Sequence, residues 1–142
     1  MGDRFLPTAL RVFAALLVLA GGAIHLQLWL DQYRDVPSDV PGAFVVNPGF
    51  LVSAVVSLVL AVAILFVRRP ILWLVALLFE VVSIVALVLS RQASVLGWEE
   101  PVWNADAKRT IAVEILAVLA LLVLLAVDYA RSGRSRAPAA AR

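Results

Sequence analysis

The sequence predicts an all-α membrane protein: a bundle of four transmembrane helices with both ends in the cytoplasm. Composition is the first reason. Hydrophobic residues make up 63% of the 142, charged residues only 15%, and the mean hydropathy is +1.00. Soluble domains run at about 45–50% apolar and 25% charged, and a chain this short has too little interior to hide the excess. Lipid must cover it. The second reason is the arrangement of the apolar residues, which form four continuous runs at about 10–30, 48–67, 70–90 and 108–127. Each is close to the ~20 residues a helix needs to cross the hydrocarbon layer. The runs do not alternate with polar residues, so barrel strands are excluded, and in lipid only the helix satisfies its own backbone. The third reason is charge asymmetry. Arg4, Arg11, Arg68, Arg69, Arg131, Arg134, Arg136 and Arg142 fall on one side, and Arg34, Arg91, Lys108 and Arg109 on the other. Asp31, Asp35, Asp39, Glu99, Glu100 and Asp106 gather on the arginine-poor side. The richer side is therefore expected in the cytoplasm, in a multi-pass protein of the plasma (inner) membrane.

Each helix has its own signals. The first runs from Leu10 to Leu30 without interruption. Residues 1–23 also carry the features of a secretory signal, with Arg4 and Arg11 ahead of an apolar stretch and Ala20-Gly21-Gly22-Ala23 as a small-residue cleavage site. Against cleavage, the apolar run continues past Ala23 to Trp29-Leu30, long enough to span. Asn47-Pro48 places a favoured N-cap before a proline at the first helical position and so opens the second helix. Arg68-Arg69-Pro70 is a tight turn into the third, and Asn104 or Asp106 caps the fourth. Between the first two helices, Pro37, Pro41, Gly42 and Pro48 stiffen a loop whose Phe44-Val45-Val46 segment is expected to lie back on the bundle as a cap. Trp29, Tyr33, Trp98 and Trp103 mark the outer interface, and Trp73 and Tyr129 the inner one. Residues 1–130 form one domain, and 131–142 read as a disordered basic tail.

Composition also removes function classes. There is no cysteine, which excludes disulfides, thiolate metal sites and thiol relays. One histidine, His25, excludes a bis-histidine haem or a histidine-rich metal site within one chain. No cofactor is expected. The basic residues follow membrane topology and form no nucleic-acid patch.

Ionisable residues inside membrane segments are the strongest functional pointers, and there are three: His25, Glu80 and Glu114. At 1.5 Å per residue, His25 lies roughly 7–8 Å below the outer end of its helix, Glu114 roughly 9 Å and Glu80 about 15 Å. His25 and Glu114 thus match in depth, and Glu80 sits below them near the midplane. An uncompensated charge there costs about 2.5–3.5 kcal/mol, which calls for a partner. Ser83, Ser53, Ser57 or a backbone carbonyl is the expected partner of a protonated Glu80. Arg34 is expected to pair with Asp31, Asp35 or Glu114. The set reads either as an outward-opening polar cluster or as hydrogen bonds that fix helix pairing. Gly21, His25, Trp29 and Tyr33 are spaced by four along one helix face. Gly21 and Gly22, with Ser53 and Ser57, read as small-residue helix packing or, for the glycines, as a gap above His25.

His25-x3-Trp29-x3-Tyr33-Arg34-x2-Pro37, followed by Gly42-x-Phe44-x2-Asn47, resembles a recurrent pattern in small four-helix membrane proteins of actinobacteria. The pattern covers about a quarter of the chain. The resemblance implies the topology and an importance of the outer end of the first helix together with its loop, but no activity.

Three functions are compatible with these features. The leading one is a non-enzymatic accessory or scaffold subunit, working in the lipid bilayer with a larger membrane complex or as a homo-oligomer. The alternative is a proton-coupled small transporter or channel using Glu80, Glu114 and His25. The third is a redox-carrier or haem- or quinone-binding protein with its ligand near His25 and Trp29.

Overall fold

The computed structural model describes residues 5–134; residues 135–142 of the expected tail lie outside the described residues. Four helices are long and apolar enough to cross a membrane, and among the described residues there is no strand. They are α1 (Phe5–Leu28), α2 (Ala43–Phe66), α3 (Pro70–Gln92) and α4 (Ala105–Arg134). α1 continues into one π-helical turn, Trp29–Tyr33, closed by a 2.8 Å bond from the Arg34 amide to the Trp29 carbonyl. Four successive passes leave α1's start and α4's end together at one end of the bundle, the termini end. The two longer connections lie at the other, the loop end.

α1 is the central helix. It packs along α2 on one side and α4 on the other, and α3 packs on α4. α2 and α3 are joined by only three residues yet touch little, so the ring of helices has a seam between them. At the termini end the bundle is a close-packed core. Ala14, Ala15 and Val18 of α1 meet Leu60, Ala61 and Ile64 of α2, Trp73 and Ala76 of α3, and Ala117, Leu121 and Leu124 of α4. Alanines dominate because association in lipid gains from backbone approach and dispersion rather than from expelling water. Gly22 shows the same rule more sharply. A Cβ there would stand 2.6 Å from the Ser57 Cβ, so the bare backbone is what lets α1 and α2 meet. Gly21, by contrast, faces open space, so of the two glycines only Gly22 is required by packing.

Several boundaries differ from the sequence expectation. α2 starts five residues before Pro48, at Ala43, because Gly42 takes the left-handed conformation (φ 81°) that turns the loop into the helix. Pro48 therefore lies inside α2, and Asn47 is no cap. Phe44-Val45-Val46 forms the first turn of the helix and not a lid. α4 begins where expected, with Asn104 Oδ1 accepting from the Ala107 amide at 2.8 Å, but it continues through residues 131–134, which the sequence assigns to the tail. Trp73 is buried in the core and is no interfacial anchor, whereas Tyr129 is 84% exposed, as an anchor should be.

The two loop-end connections lock onto one another. Val95 and Trp98 exchange backbone bonds of 2.8 and 2.9 Å around Leu96 and Gly97, both at positive φ (51° and 94°) as in a type I′ turn. Trp98 seats against Gly42, where a Cβ would lie only 2.4 Å from the Trp98 amide nitrogen.

Arg11 breaks the apolar character of the termini end. It is buried against α2, donating from Nε and Nη2 to the Ile64 carbonyl (3.1 and 2.9 Å) and from Nη2 to the Leu65 carbonyl. These are two of the last four carbonyls of α2, which have no partner within the helix. The guanidinium thus satisfies the helix end and complements its negative dipole.

Candidate functional site

His25 leaves α1 near its loop-end third, and Glu114 leaves α4 at matching depth. The His25 Nε2 and Glu114 Oε1 atoms are 3.1 Å apart. Ser83 of α3 completes the group: its hydroxyl donates to the same Glu114 oxygen at 2.5 Å and lies 3.4 Å from His25 Nε2. One carboxylate oxygen therefore ties three helices together. Glu114 is 1% exposed, and its other oxygen, Oε2, has no protein partner. His25 Nδ1 is likewise buried without one. The ring is held edge-on to Phe50 of α2, with centroids 5.4 Å apart.

Glu80 lies one turn nearer the termini end than Ser83 and is 2% exposed. Its carboxyl forms no hydrogen bond among the described residues. None of the three serines expected to hold it does so: Ser83 is committed to Glu114, and Ser57 packs under Gly22. Ser53 is half-buried on the wall of a cavity.

That cavity occupies the loop-end half of the bundle, with a volume of about 240 Å³. His25, Ser83 and Ser53 are at its polar end, and Phe50, Phe79, Leu28, Val46 and Leu87 form its walls. The loop-end rim carries Gln32, Tyr33, Arg91, Glu100, Asn104 and Asp106. Gly49 faces into it with nothing within 4 Å of where a Cβ would stand. Val82 and Ala86 of α3 line the cavity and are also exposed on the outside of the bundle, Val82 by 65%. The cavity therefore reaches the apolar surface through the α2–α3 seam.

The rim is built by a second polar group that the sequence does not single out. Arg91 Nη1 pairs with Glu100 Oε2 at 3.0 Å and also donates to the Glu100 carbonyl, while the Tyr33 hydroxyl donates to Glu100 Oε2 at 2.7 Å. Tyr33 stacks on Phe50 with centroids 4.2 Å apart, so it is a buried wall residue and no interfacial anchor. The Arg91 side chain is only 4% exposed, and its Nε is buried without a partner.

The π-turn separates Trp29 from Tyr33, which a regular helix would keep nearly in line. Trp29 instead donates through Nε1 to Asn47 Oδ1 at 3.0 Å, and Asn47 Nδ2 donates to the Arg34 carbonyl at 2.8 Å. One carboxamide thus clamps the turn to α2, which accounts for Trp29, Arg34 and Asn47 mattering together. The Arg34 side chain is outside the site: it pairs with Asp35 at 3.2 Å on the exposed surface. An exposed pair of this kind contributes little. Of the residues singled out in the sequence, the structure brings His25 and Glu114 into contact and sets Glu80 beside them. Trp29, Tyr33 and Asn47 form the wall and its brace, and Gly22 and Ser57 are packing. No protein-family model, curated protein or solved structure matches the chain.

Proposed function

We infer that this is a non-enzymatic accessory protein of the plasma (inner) membrane that holds a small, largely apolar molecule in its loop-end cavity. The loop end faces outside and both termini are cytoplasmic in this reading, as the excess of arginine at the termini end and in the α2–α3 turn favours. The single observation that carries it is the cavity itself. Space is left where four helices could have closed on one another, and its polar end carries the imidazole of His25, whose Nδ1 has no hydrogen-bond partner among the described residues. Ligand sites have this make-up, apolar walls with a few convergent polar groups. The Ser83 hydroxyl donates to Glu114 and not to His25, an arrangement that favours binding over nucleophilic chemistry.

The test uses Gly49. Gly49→Leu puts a side chain into the cavity, with nothing within 4 Å of its Cβ, and removes a helix-interior glycine, a change worth about 1 kcal/mol of stability. Wild-type protein purified in mild detergent is expected to carry a small molecule visible by native mass spectrometry, and Gly49→Leu to lack it while unfolding at higher temperature. Equal loading of the two proteins, or none in the wild type, contradicts the reading.

One observation supports a second reading, proton-coupled transport. Glu80 continues the polar line from His25 and Glu114 toward the midplane. Beyond it the packed core of Ile64, Trp73, Leu121 and Leu124 closes the route, so transport needs a second conformation or an oligomer.

A further inference from the structure

The seam and the unpartnered atoms say what kind of molecule the cavity takes; the inference rests on the binding function proposed above. A ligand delivered only from water would need no opening between α2 and α3, yet Val82 and Ala86 are shared between the cavity wall and the lipid-facing surface. An apolar chain attached to the ligand can leave by that route and stay in the bilayer. The volume, about 240 Å³, exceeds the roughly 150 Å³ that holds a benzene molecule, which allows one substituted ring and not a sterol or an acyl lipid. Phe50, Phe79 and Tyr33 offer ring faces and edges for it.

The polar end sets the chemistry. Glu114 and Glu80 are absent from the lining and the carboxyls of Glu100 and Asp106 are on the loop-end rim, so the deep end presents imidazole and hydroxyl to a ligand. His25 lines this end, and its Nδ1 is buried without a hydrogen-bond partner among the described residues. With Nε2 turned to Glu114, this nitrogen is a bare acceptor in the neutral ring and a donor in the protonated one. It can therefore take a hydroxyl in one state and a carbonyl in the other. Glu114 stands ready to balance the charged state. At the other end the unpartnered Arg91 Nε is a donor only, suited to an oxygen acceptor.

We propose that the loop-end cavity binds the ring headgroup of a membrane-resident prenyl quinone or its quinol, which enters between α2 and α3 with one ring oxygen at His25 and its prenyl chain left in the lipid. Nothing in the proposal requires electron transfer by the protein.

The experiment titrates protein in lipid nanodiscs with ubiquinone-1, a benzoquinone carrying a single prenyl unit, and reads the quenching of tryptophan fluorescence; Trp98 lies on the cavity wall. Saturable quenching is expected for the wild type and not for empty nanodiscs with free tryptophan octyl ester. His25→Gln and Ser83→Ala should weaken binding at least tenfold with the unfolding temperature checked in parallel. Val82→Phe, at a position 65% exposed where the cavity wall meets the outer surface, should slow association without altering the His25 dependence. Unsaturable quenching, or equal affinity in folded His25→Gln, overturns the proposal. A parallel titration with nitrobenzene, a neutral single-ring quencher within the size limit of the cavity, separates the levels of failure. If nitrobenzene binds saturably, Gly49→Leu abolishes it and ubiquinone-1 does not bind, the quinone assignment fails while the cavity remains a ligand site. If neither probe binds and the wild type carries no molecule that Gly49→Leu loses, both fall.

Discussion

Replacing Glu114 with alanine is expected to destabilise the folded bundle by about 3–5 kcal/mol, the range for breaking a buried pair by removing one partner. Interhelical hydrogen bonds in membrane proteins average far less, about 0.6 kcal/mol, because the separated helices find other partners. Glu114 departs from that average because its Oε1 serves both His25 and Ser83, which arrive from α1 and α3. Removing it strands two buried groups at once and uncouples three helices. Glu114→Gln keeps an acceptor oxygen and should cost only about 1 kcal/mol, the net worth of one ordinary hydrogen bond. Unfolding titrations in mixed detergent micelles measure both. A Glu114→Ala protein within 1 kcal/mol of the wild type would mean that the contact contributes nothing to packing.

The second large effect is at the other end of the molecule. Arg11→Ala should cost about 2–4 kcal/mol, since hydrogen bonds to charged groups are worth ~1.5–3 kcal/mol and the cation also complements the end of the α2 dipole. The buried Ile64 carbonyl and the Leu65 carbonyl would both lose their donor. Arg11→Lys preserves the charge but not the two-pronged geometry that reaches the Ile64 oxygen from both Nε and Nη2, so it should recover part of the loss. The same titration checks it, alongside a tag-accessibility assay at both termini. If Arg11 acted only as a topological signal, the alanine variant would change accessibility and leave stability alone; the geometry predicts the reverse.

How the sequence led to part of this and not the rest follows from what each feature depends on. The four spans are legible because lipid enforces one rule on every residue of a run. The matching level of His25 and Glu114 is legible because it is arithmetic in rise per residue, but whether they touch is not. The partner of Glu80 is not legible either: Ser83 sits one turn away on the same helix and turns to Glu114. Which of two acceptors a serine meets depends on helix rotation, which hydropathy leaves open. Arg11 reads as a topological charge because it stands at the edge of the apolar run. Its spacing of three, four and seven residues from Ala14, Ala15 and Val18, all buried, was the available sign that it faces inward. The start of α2 was misplaced because Asn47-Pro48 has the form of a helix opening, whereas the asparagine is spent on Trp29 and the Arg34 carbonyl. Tyr33, Trp73 and Trp98 were assigned to the interface on residue type alone, and tertiary packing claims all three.

The account centres on His25 as the free end of a His25–Ser83–Glu114 group, and the chain's single histidine makes that directly observable. In ¹⁵N-histidine NMR of the protein in nanodiscs, every imidazole signal belongs to His25. The account predicts two distinct nitrogens, of which Glu114→Gln shifts the Nε2 resonance strongly and a bound cavity ligand shifts Nδ1. A ring whose signals are unchanged by Glu114→Gln, or whose two nitrogens average as in free solution, would contradict it.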